Sequence, residues 1–131
     1  HCQNIMQNDV HQIVRDCSIG LRTKLWGFVN LYGCTIGDDC LIGTFVEIQD
    51  TVHIGNKVRV QSHTFICSGV TIEDNVFIGH HVVFVNDKYP RAVNAKGEPI
   101  TPDDWELRPV LVKKGATIGS NATILGGITI G

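Results

Sequence analysis

Residues 36–84 read IGDDCLIGTFVEIQDTVHIGNKVRVQSHTFICSGVTIEDNVFIGHHVVF. In this stretch an aliphatic or aromatic residue occupies every sixth position, and these anchors are Ile36, Ile42, Ile48, Ile54, Val60, Ile66, Ile72, Ile78 and Phe84. Four places after an anchor stands a small or β-branched residue, namely Cys40, Val46, Val52, Val58, Thr64, Val70, Val76 and Val82. A period of six matches neither the 3.6-residue repeat of an α-helix nor the alternation of a simple strand.

A six-residue period is typical of a β-helix in which each hexad forms one short strand and one turn. Three hexads close one triangular coil, so residues eighteen apart stack at the strand spacing of roughly 4.7–4.9 Å. Earlier anchors are Ile13, Ile19, Leu25 and Leu31, and the step from Leu31 to Ile36 is one residue short. The sequence therefore predicts an all-β parallel helix, with thirteen strands from Ile13 to Phe84 and one short turn near residues 32–35.

The period breaks after Phe84 and resumes at Val112, Ile118, Ile124 and Ile130. Residues 86–109 between them contain four prolines and exceed the roughly 12–15 residues of ordinary connections, so we expect a functional loop extruded from one corner of a continuous column. The whole of residues 1–131 is predicted to be one domain, with residues 1–12 as a lead-in that lacks the period. The period is still running at Gly131, so we expect the open edge there to be covered by a cap that this sequence lacks or by a partner subunit.

Composition excludes several classes of function. The formal charge of −2 gives no reason to expect binding to nucleic acid or to an anionic membrane, and no run of 18 apolar residues is present. The five cysteines form no C-x-x-C pair, which argues against a zinc knuckle or a thioredoxin-like motif. Cys17 and Cys40 fall on inward positions as small hydrophobic residues, and the odd number without a pairing pattern favours a reducing, cytoplasmic setting.

The hexads and the loop that begins VNDKYPR resemble the hexapeptide-repeat, left-handed β-helix acyltransferases. The segments FIGHHVVFVNDKYPRA and LVKKGATIGSNATILGGITIG are similar to the branch that N-acetylates an amino group, at C3 or C4, of a nucleotide-linked deoxy-amino sugar. The resemblance covers roughly residues 13–131. It implies a left-handed helix, use of acetyl-CoA without a metal, a homotrimer with clefts between columns, and a product for cell-surface polysaccharide or glycoprotein synthesis. It leaves open the nucleotide (UDP or dTDP), the sugar and the position of the amine.

The resemblance implies an acceptor site at the start of the loop. Asn86 stands where the family places an asparagine close to the acceptor amine, and its side-chain oxygen is suited to orient that amine. A turn asparagine that tolerates unusual backbone angles is the alternative reading of the position. Asp87 is either a base or a second turn former, and Tyr89 is a candidate to stack on the acceptor nucleotide, as are Trp26 and Trp105.

Histidines supply the second group of candidates. His63 and His81 are eighteen residues apart, so we expect them at the same corner of successive coils, with Phe45 before them in that ladder. Either ring is able to accept a proton near neutral pH, although an exposed pair of turn histidines fits the spacing equally well. His80, on the neighbouring turn position, is a candidate for substrate binding. His1, His11 and His53 are predicted to be plain surface residues.

For the acetyl donor, the resemblance implies that coenzyme A lies along the later coils against backbone groups, with basic side chains near its phosphates. The candidate positions are Lys113, Lys114, Gly115, Ala116, Gly119 and Ser120, with Arg91 in the loop as a further candidate. A solvated turn is the alternative reading of the two lysines.

A β-helix of this kind is compatible with three other functions. A zinc enzyme of the γ-carbonic anhydrase type needs a His-x4-His pair, but positions 85 and 86 are Val85 and Asn86 and no histidine follows His81. An O-acetyltransferase would act on a sugar hydroxyl and would need His63 or His81 as a true general base. A non-catalytic β-helix scaffold is a more distant alternative, which the long polar loop and the histidine ladder disfavour.

Overall fold

A computed structural model describes residues 11–131 of the chain. Most of the predicted lead-in, together with His1 and Cys2, lies outside the described residues. Residues 11–131 form short parallel strands and one 3-10 turn at Pro102–Asp104. No helix in this part of the chain has the length and apolar character needed to cross a membrane.

The strands of residues 11–131 form three parallel sheets that make up the three sides of the column. Sheet A contains β1 (Ile13–Arg15), β4 (Asn30–Tyr32), β7 (Glu47–Ile48), β10 (Phe65–Ile66), β13 (Val83–Phe84) and β16 (Thr123–Ile124). Sheet B contains β2 (Ser18–Ile19), β5 (Thr35–Ile36), β8 (His53–Ile54), β11 (Val70–Ile72), β14 (Val110–Val112) and β17 (Thr129–Ile130). Sheet C contains β3 (Lys24–Leu25), β6 (Leu41–Ile42), β9 (Arg59–Val60), β12 (Phe77–Ile78) and β15 (Thr117–Ile118).

Each strand pairs with the strand three places further along the chain, so one coil contributes one strand to each sheet. The predicted anchors stack directly on one another, as in the series Ile36, Ile54, Ile72 and Val112. The prediction of an all-β, parallel β-helix of hexapeptide repeats is therefore confirmed, and the arrangement is consistent with left-handed winding. We name the turns after the sheets that they join: the AB corner, the BC corner and the CA corner.

The register at the start of the column corrects one anchor. Val14 pairs with Leu31, whereas Ile13 pairs with the outward Asn30, so the first anchor is Val14 and not Ile13. The step from Val14 to Ile19 is consequently five residues, like the predicted short step from Leu31 to Ile36. The first coils therefore repeat after seventeen residues instead of eighteen.

The core is a column of aliphatic side chains, because both the anchors and the small inward residues point between the three sheets. Leu31, Ile42, Ile48 and Phe84 are completely buried. Burying one side chain of this size stabilises the fold by about 1.5–3 kcal/mol. Thr64 is the buried polar residue of the described core, and its hydroxyl donates to the carbonyl of Gly79 at 2.8 Å.

The corners need one residue per turn in the left-handed backbone region, and short polar residues or histidine often fill it. At the BC corner, Asp39 and Asn75 have φ of 58° and 62°. Asp38, Asn56 and Asp74 each stand directly before the left-handed residue of a BC turn. They form what we call the amide ladder, in which side chains accept hydrogen bonds from backbone N–H groups of the preceding coil. The bonds run from Leu21 N to Asp38 Oδ1 (2.8 Å), from Asp38 N to Asn56 Oδ1 (2.8 Å) and from Asn56 N to Asp74 Oδ1 (2.7 Å).

The long loop leaves the column at the AB corner between β13 and β14 and returns to the same place. Arg108 N donates to Asn86 O at 2.8 Å and closes its base, and Val110 then pairs with Val70 of β11. The sheets therefore continue across the insertion without a break. Within the loop, Val93 and Pro99 form an antiparallel bridge.

Candidate functional site

The histidine candidates lie at the CA corner. The rings of His63 and His81 are 4.7 Å apart between centroids, with 11° between their planes, and both side chains are exposed. Both residues have left-handed φ, 64° and 55° respectively. This backbone directs successive side chains outward in the same way, so the rings stack along the column.

The stack is longer than the sequence predicts. It consists of five rings with centroids 4.7–5.3 Å apart, which we call the ring ladder: His11, Phe28, Phe45, His63 and His81. Phe45 occupies its predicted place, but Phe28 and His11 were missed because the first coils repeat after seventeen residues. His11 was expected to be a plain surface residue and is instead the first ring of the ladder. Phe28 and Phe45 are 55% and 52% exposed, so the ladder is a surface feature.

Asn86 lies at the opposite end of β13 from His81, at the AB corner. Its Nδ2 donates to the carbonyl of Ser68 in the preceding coil at 2.9 Å, and the side chain is half-buried. Because only the amide nitrogen is able to donate to a carbonyl, this bond fixes which way the amide points. The side-chain oxygen is therefore held in one orientation with its acceptor capacity available.

Asp87 and Tyr89 form the first turn of the loop. Oδ1 of Asp87 accepts a hydrogen bond from the backbone N–H of Tyr89 at 3.0 Å, which is the geometry of an Asx turn. This contact supports the alternative of a turn former for Asp87. The Tyr89 ring is exposed, and Nζ of Lys88 lies 5.4 Å from its centroid.

The structure brings His80 and Ser120 together, because their coils stack at the CA corner. Oγ of Ser120 accepts a hydrogen bond from the backbone N–H of His80 at 3.0 Å. Both side chains and Gly119 are exposed. His80, a candidate for binding the acceptor sugar, and Ser120, a candidate for binding coenzyme A, thus lie at the same corner.

The remaining donor candidates lie elsewhere on the last coils. Lys113, Lys114 and the half-buried Ala116 are at the BC corner, where Lys114 N donates to Oε1 of Glu73 at 2.9 Å. The contiguous stretch predicted for coenzyme A is therefore divided between two corners. The lysine side chains are exposed and free to approach phosphate.

Arg91 lies in the loop, on the wall of an open concavity of about 740 Å³. Its Nη1 donates to the carbonyl of Pro90 at 3.3 Å. Lys96 lines the same concavity, together with Glu98 and Asp104, and sequence reasoning did not single it out. Its only sequence signal is its place beside Gly97, whose φ of 78° makes the tight turn of this segment.

Aromatic candidates for a nucleotide are spread over the surface. Trp26 is exposed beside the CA corner, with Nζ of Lys24 4.4 Å from its ring centroid, and Trp105 is half-buried in the loop. Among residues 11–131, no three His, Cys, Asp or Glu side chains cluster in a way that holds a metal ion. The sequence-based expectation that no metal takes part stays a prediction.

Two family models match the chain. The model described as bacterial transferase hexapeptide (six repeats) matches residues 33–68, and the hexapeptide repeat of succinyl-transferase matches residues 109–131. The two matches flank the loop and agree with the observed coils. The prediction of hexapeptide repeats is therefore confirmed over the matched residues, which belong to transferase-type repeat models.

Curated relatives match most of the chain. The chain is 27% identical to the bifunctional protein GlmU of Herminiimonas arsenicoxydans, over 88% of the chain and 30% of that protein. It is 29% identical to the bifunctional protein GlmU of Synechococcus sp. (strain CC9311), over 88% of the chain and 26% of that protein. The chain thus spans less than a third of the length of these relatives.

Solved structures also resemble the chain. One is a point mutant of AntD, an N-acyltransferase from Bacillus cereus in complex with dTDP and coenzyme A, with 14% identity, a TM-score of 0.37, and coverage of 100% of this chain and 72% of that one. Another is WeeI from Acinetobacter baumannii AYE, with 17% identity, a TM-score of 0.36, and coverage of 98% and 60%. Similarities this low carry no argument about the site.

Proposed function

We propose that the chain is an acetyl-CoA-dependent acyltransferase that N-acetylates the amino group of a nucleotide-linked deoxy-amino sugar. The two matching models support acyl transfer, since both describe hexapeptide repeats of transferases. The VNDKYPR loop start and the segment VKKGATIG support the amino-sugar branch by their resemblance to it.

The orientation of Asn86 is the observation that carries the proposal. Its Nδ2 donates to Ser68 O, so its Oδ1 is held in one orientation and keeps its capacity to accept a hydrogen bond. A neutral primary amine has two N–H groups and one lone pair. An acceptor that takes one N–H leaves the lone pair aimed at an incoming carbonyl carbon, and such positioning is a large part of what bimolecular transfer requires.

The reaction balances without a cofactor beyond the donor. The amine nitrogen attacks the thioester carbonyl, the carbon–sulfur bond breaks, and the thiolate of coenzyme A takes up the proton that the nitrogen loses. A thiolate leaves readily, so a strong general acid is not needed. Backbone N–H groups at the corners are suited to stabilise the oxyanion.

The proposal includes a homotrimer in the cytoplasm. The resemblance implies that the donor and acceptor bind between adjacent columns, which accounts for candidate residues lying on different corners of one chain. Arg91 and Lys113 or Lys114 would then approach the phosphates of coenzyme A from neighbouring subunits. The absence of paired cysteine motifs from the sequence supports a reducing compartment.

O-acetylation is a second candidate, and the ring ladder is the observation that favours it. His63 and His81 present exposed imidazoles at one corner, and an imidazole is suited to remove a hydroxyl proton near neutral pH. A sugar hydroxyl is a far weaker nucleophile than a neutral amine. Transfer to oxygen would therefore depend on one of these rings.

The test is thiol release from acetyl-CoA against a panel of acceptors. The panel holds UDP- and dTDP-linked 3-amino and 4-amino sugars, with free hexoses and nucleotide sugars that carry only hydroxyl groups as controls. We expect turnover with one nucleotide-linked amine and none with the hydroxyl controls. Turnover with hydroxyl acceptors alone would replace the proposal by O-acetylation, and bound acetyl-CoA without turnover on any acceptor would contradict both.

A further inference from the structure

Cys17 and Cys34 lie against each other at the AB corner of the first two coils. Their Sγ atoms are 3.4 Å apart and share a hydrogen bond. Cys34 is buried, with 1% of its surface exposed, whereas Cys17 is half-buried and open to small molecules. Both are free thiols.

Backbone hydrogen bonds on both sides hold the pair in register. Ser18 N donates to Cys34 O at 3.1 Å, and Gly33 N donates to Arg15 O at 2.9 Å. Paired parallel strands are about 4.7–4.9 Å apart, which is within the Cα separation of roughly 4.4–6.8 Å that disulfides span. The strand spacing and the contact between the sulfurs therefore both meet what a disulfide with a bond length of about 2.05 Å requires of the backbone separation.

We propose that Cys17 and Cys34 form a reversible disulfide that fastens the first coil to the second, by exchange with a low-molecular-weight disulfide such as glutathione disulfide. The two cysteines are assigned here as a modification site. This site does not depend on the transferase function. In a reducing compartment such bonds are typically transient and respond to oxidation.

The exposure of the two sulfurs sets the order of the steps. The thiolate of Cys17 attacks glutathione disulfide, which forms a mixed disulfide on Cys17 and releases one glutathione thiolate. The sulfur of Cys34 then attacks the Cys17 sulfur, the bond to glutathione breaks, and the second glutathione leaves with the proton. Two protein thiols are oxidised and one glutathione disulfide is reduced to two thiols.

The second step is expected to be the slow one. Burial raises the pKa of the Cys34 thiol to about 12, and the neighbouring Cys17 thiol contributes to the rise. Because the thiolate is the nucleophile, closure of the bond accelerates as pH increases below that value. Direct contact between the sulfurs offsets the small thiolate fraction.

The bond would act on the first two described coils. A coil of a solenoid is stabilised by contacts with its neighbours, and it opens locally when those contacts are lost. A covalent bond from Cys17 to Cys34 restricts that opening. The amides of β1, β2 and β3 are then expected to exchange more slowly, whereas those of β14 to β17 are unaffected.

The test uses the full chain with Cys2→Ser, which removes a thiol that lies outside the described residues. The folded protein is incubated with mixtures of reduced and oxidised glutathione, free thiols are alkylated, and peptides are mapped without reduction. We expect a peptide pair joined through Cys17 and Cys34, loss of two alkylatable thiols, and their recovery with dithiothreitol. Amide exchange before and after oxidation reports the effect on the first coil.

Matched variants separate this pair from the other cysteines. Cys40→Ser and Cys67→Ser should form the same bond, since neither residue contacts a second sulfur in the described structure. Cys34→Ser should stop at the mixed disulfide on Cys17. Persistent glutathione on Cys17 in the Cys2→Ser protein would overturn the proposal, as would thiols that stay reduced until the protein is denatured. Both contradicting results are measured on the Cys2→Ser protein, so the test remains valid even if the Cys34→Ser variant fails to fold.

Discussion

The BC and CA corners of the column use the same backbone turn but employ their side chains in opposite ways. At the BC corner, the amide ladder directs Asp38, Asn56 and Asp74 back onto N–H groups of the preceding coil. At the CA corner, the ring ladder stacks side chains on one another and leaves them exposed. Polar atoms in the first ladder serve the fold, whereas the imidazoles of the second are available to solvent or a ligand.

In this repetitive fold, side chains that are hydrogen-bonded between coils thus contribute to stability, whereas exposed side chains are the candidates for chemistry. Each hydrogen bond of the amide ladder contributes about 0.5–1.5 kcal/mol to stability. A stacked aromatic pair contributes about 0.5–1.5 kcal/mol beyond its burial. The side chain of Asn86 at the AB corner combines a structural and a chemical use. Its Nδ2 binds the preceding coil through Ser68 O, whereas its Oδ1 makes no bond of this kind.

Replacing Asn86 by alanine should give the largest effect. We expect kcat to fall by about 100-fold or more, as for the loss of a positioned catalytic hydrogen bond. Unfolding should become easier by only about 1 kcal/mol, since one hydrogen bond to Ser68 O is lost. Thiol-release kinetics and urea unfolding measure the two quantities. Asn56→Ala is the matched control, and equal rates for the wild-type and Asn86→Ala proteins would remove the acceptor assignment.

Gly37→Ala should damage the fold directly, because this glycine lies where two coils are in close contact. A Cβ on Gly37 would meet the Asn56 side chain, and the Gly55 carbonyl oxygen would lie 2.7 Å away, so the stacked coils would have to separate. We expect a loss of about 1–3 kcal/mol, which is usual for overpacking a tight contact. Gly27→Ala is the control at the CA corner, because its Cβ would meet nothing within 4 Å. Equal thermal midpoints for the two variants would show that the coils do not stack as described.

Asn56→Ala should weaken the amide ladder without touching the chemistry. It removes the acceptor of the Asp38 N–H, so we expect a loss of about 1 kcal/mol in the free energy of unfolding. The kcat of the folded protein should be unchanged. A fall in kcat comparable to that of Asn86→Ala would mean that Asn56 itself takes part in transfer.

His63→Ala should have the smallest effect if the acceptor is an amine. It removes one ring from the ring ladder, which lowers the free energy of unfolding by roughly 0.5–1.5 kcal/mol. We expect kcat to change by less than about tenfold, below the roughly 10²–10⁴-fold range of general-base catalysis. His81→Ala should behave in the same way. A larger loss in either variant would indicate that the imidazole is a base and would favour O-acetylation.

The sequence predicts the column well because its signal is periodic and local. Every anchor from Ile36 to Phe84 is buried, and the anchors from Val112 to Ile124 resume in register. The misassigned anchor at Ile13 has a physical cause. A corner that is one residue short shifts the hexad register, and no residue type in the sequence marks where the shortening occurs. The same shift conceals Phe28 from an eighteen-residue search.

The candidate site is less predictable because its contacts are not periodic. The hydrogen bond of Asn86 joins residues in successive coils through a side chain, and spacing does not say which atom it uses. Lys96 enters the loop concavity through the turn at Gly97, which no hexad rule describes. The contact between Cys17 and Cys34 depends on two short corners that follow one another.

The most direct measurement identifies the bond that the enzyme makes. The chain is incubated with acetyl-CoA and a nucleotide-linked sugar that carries one amino group and free hydroxyl groups, and the acetylated product is treated with neutral hydroxylamine. Because hydroxylamine cleaves esters and leaves amides intact, the proposed N-acetylation predicts a product that retains its acetyl group, and its formation should depend on Asn86. A product that loses its acetyl group would contradict the account, as would complete absence of transfer.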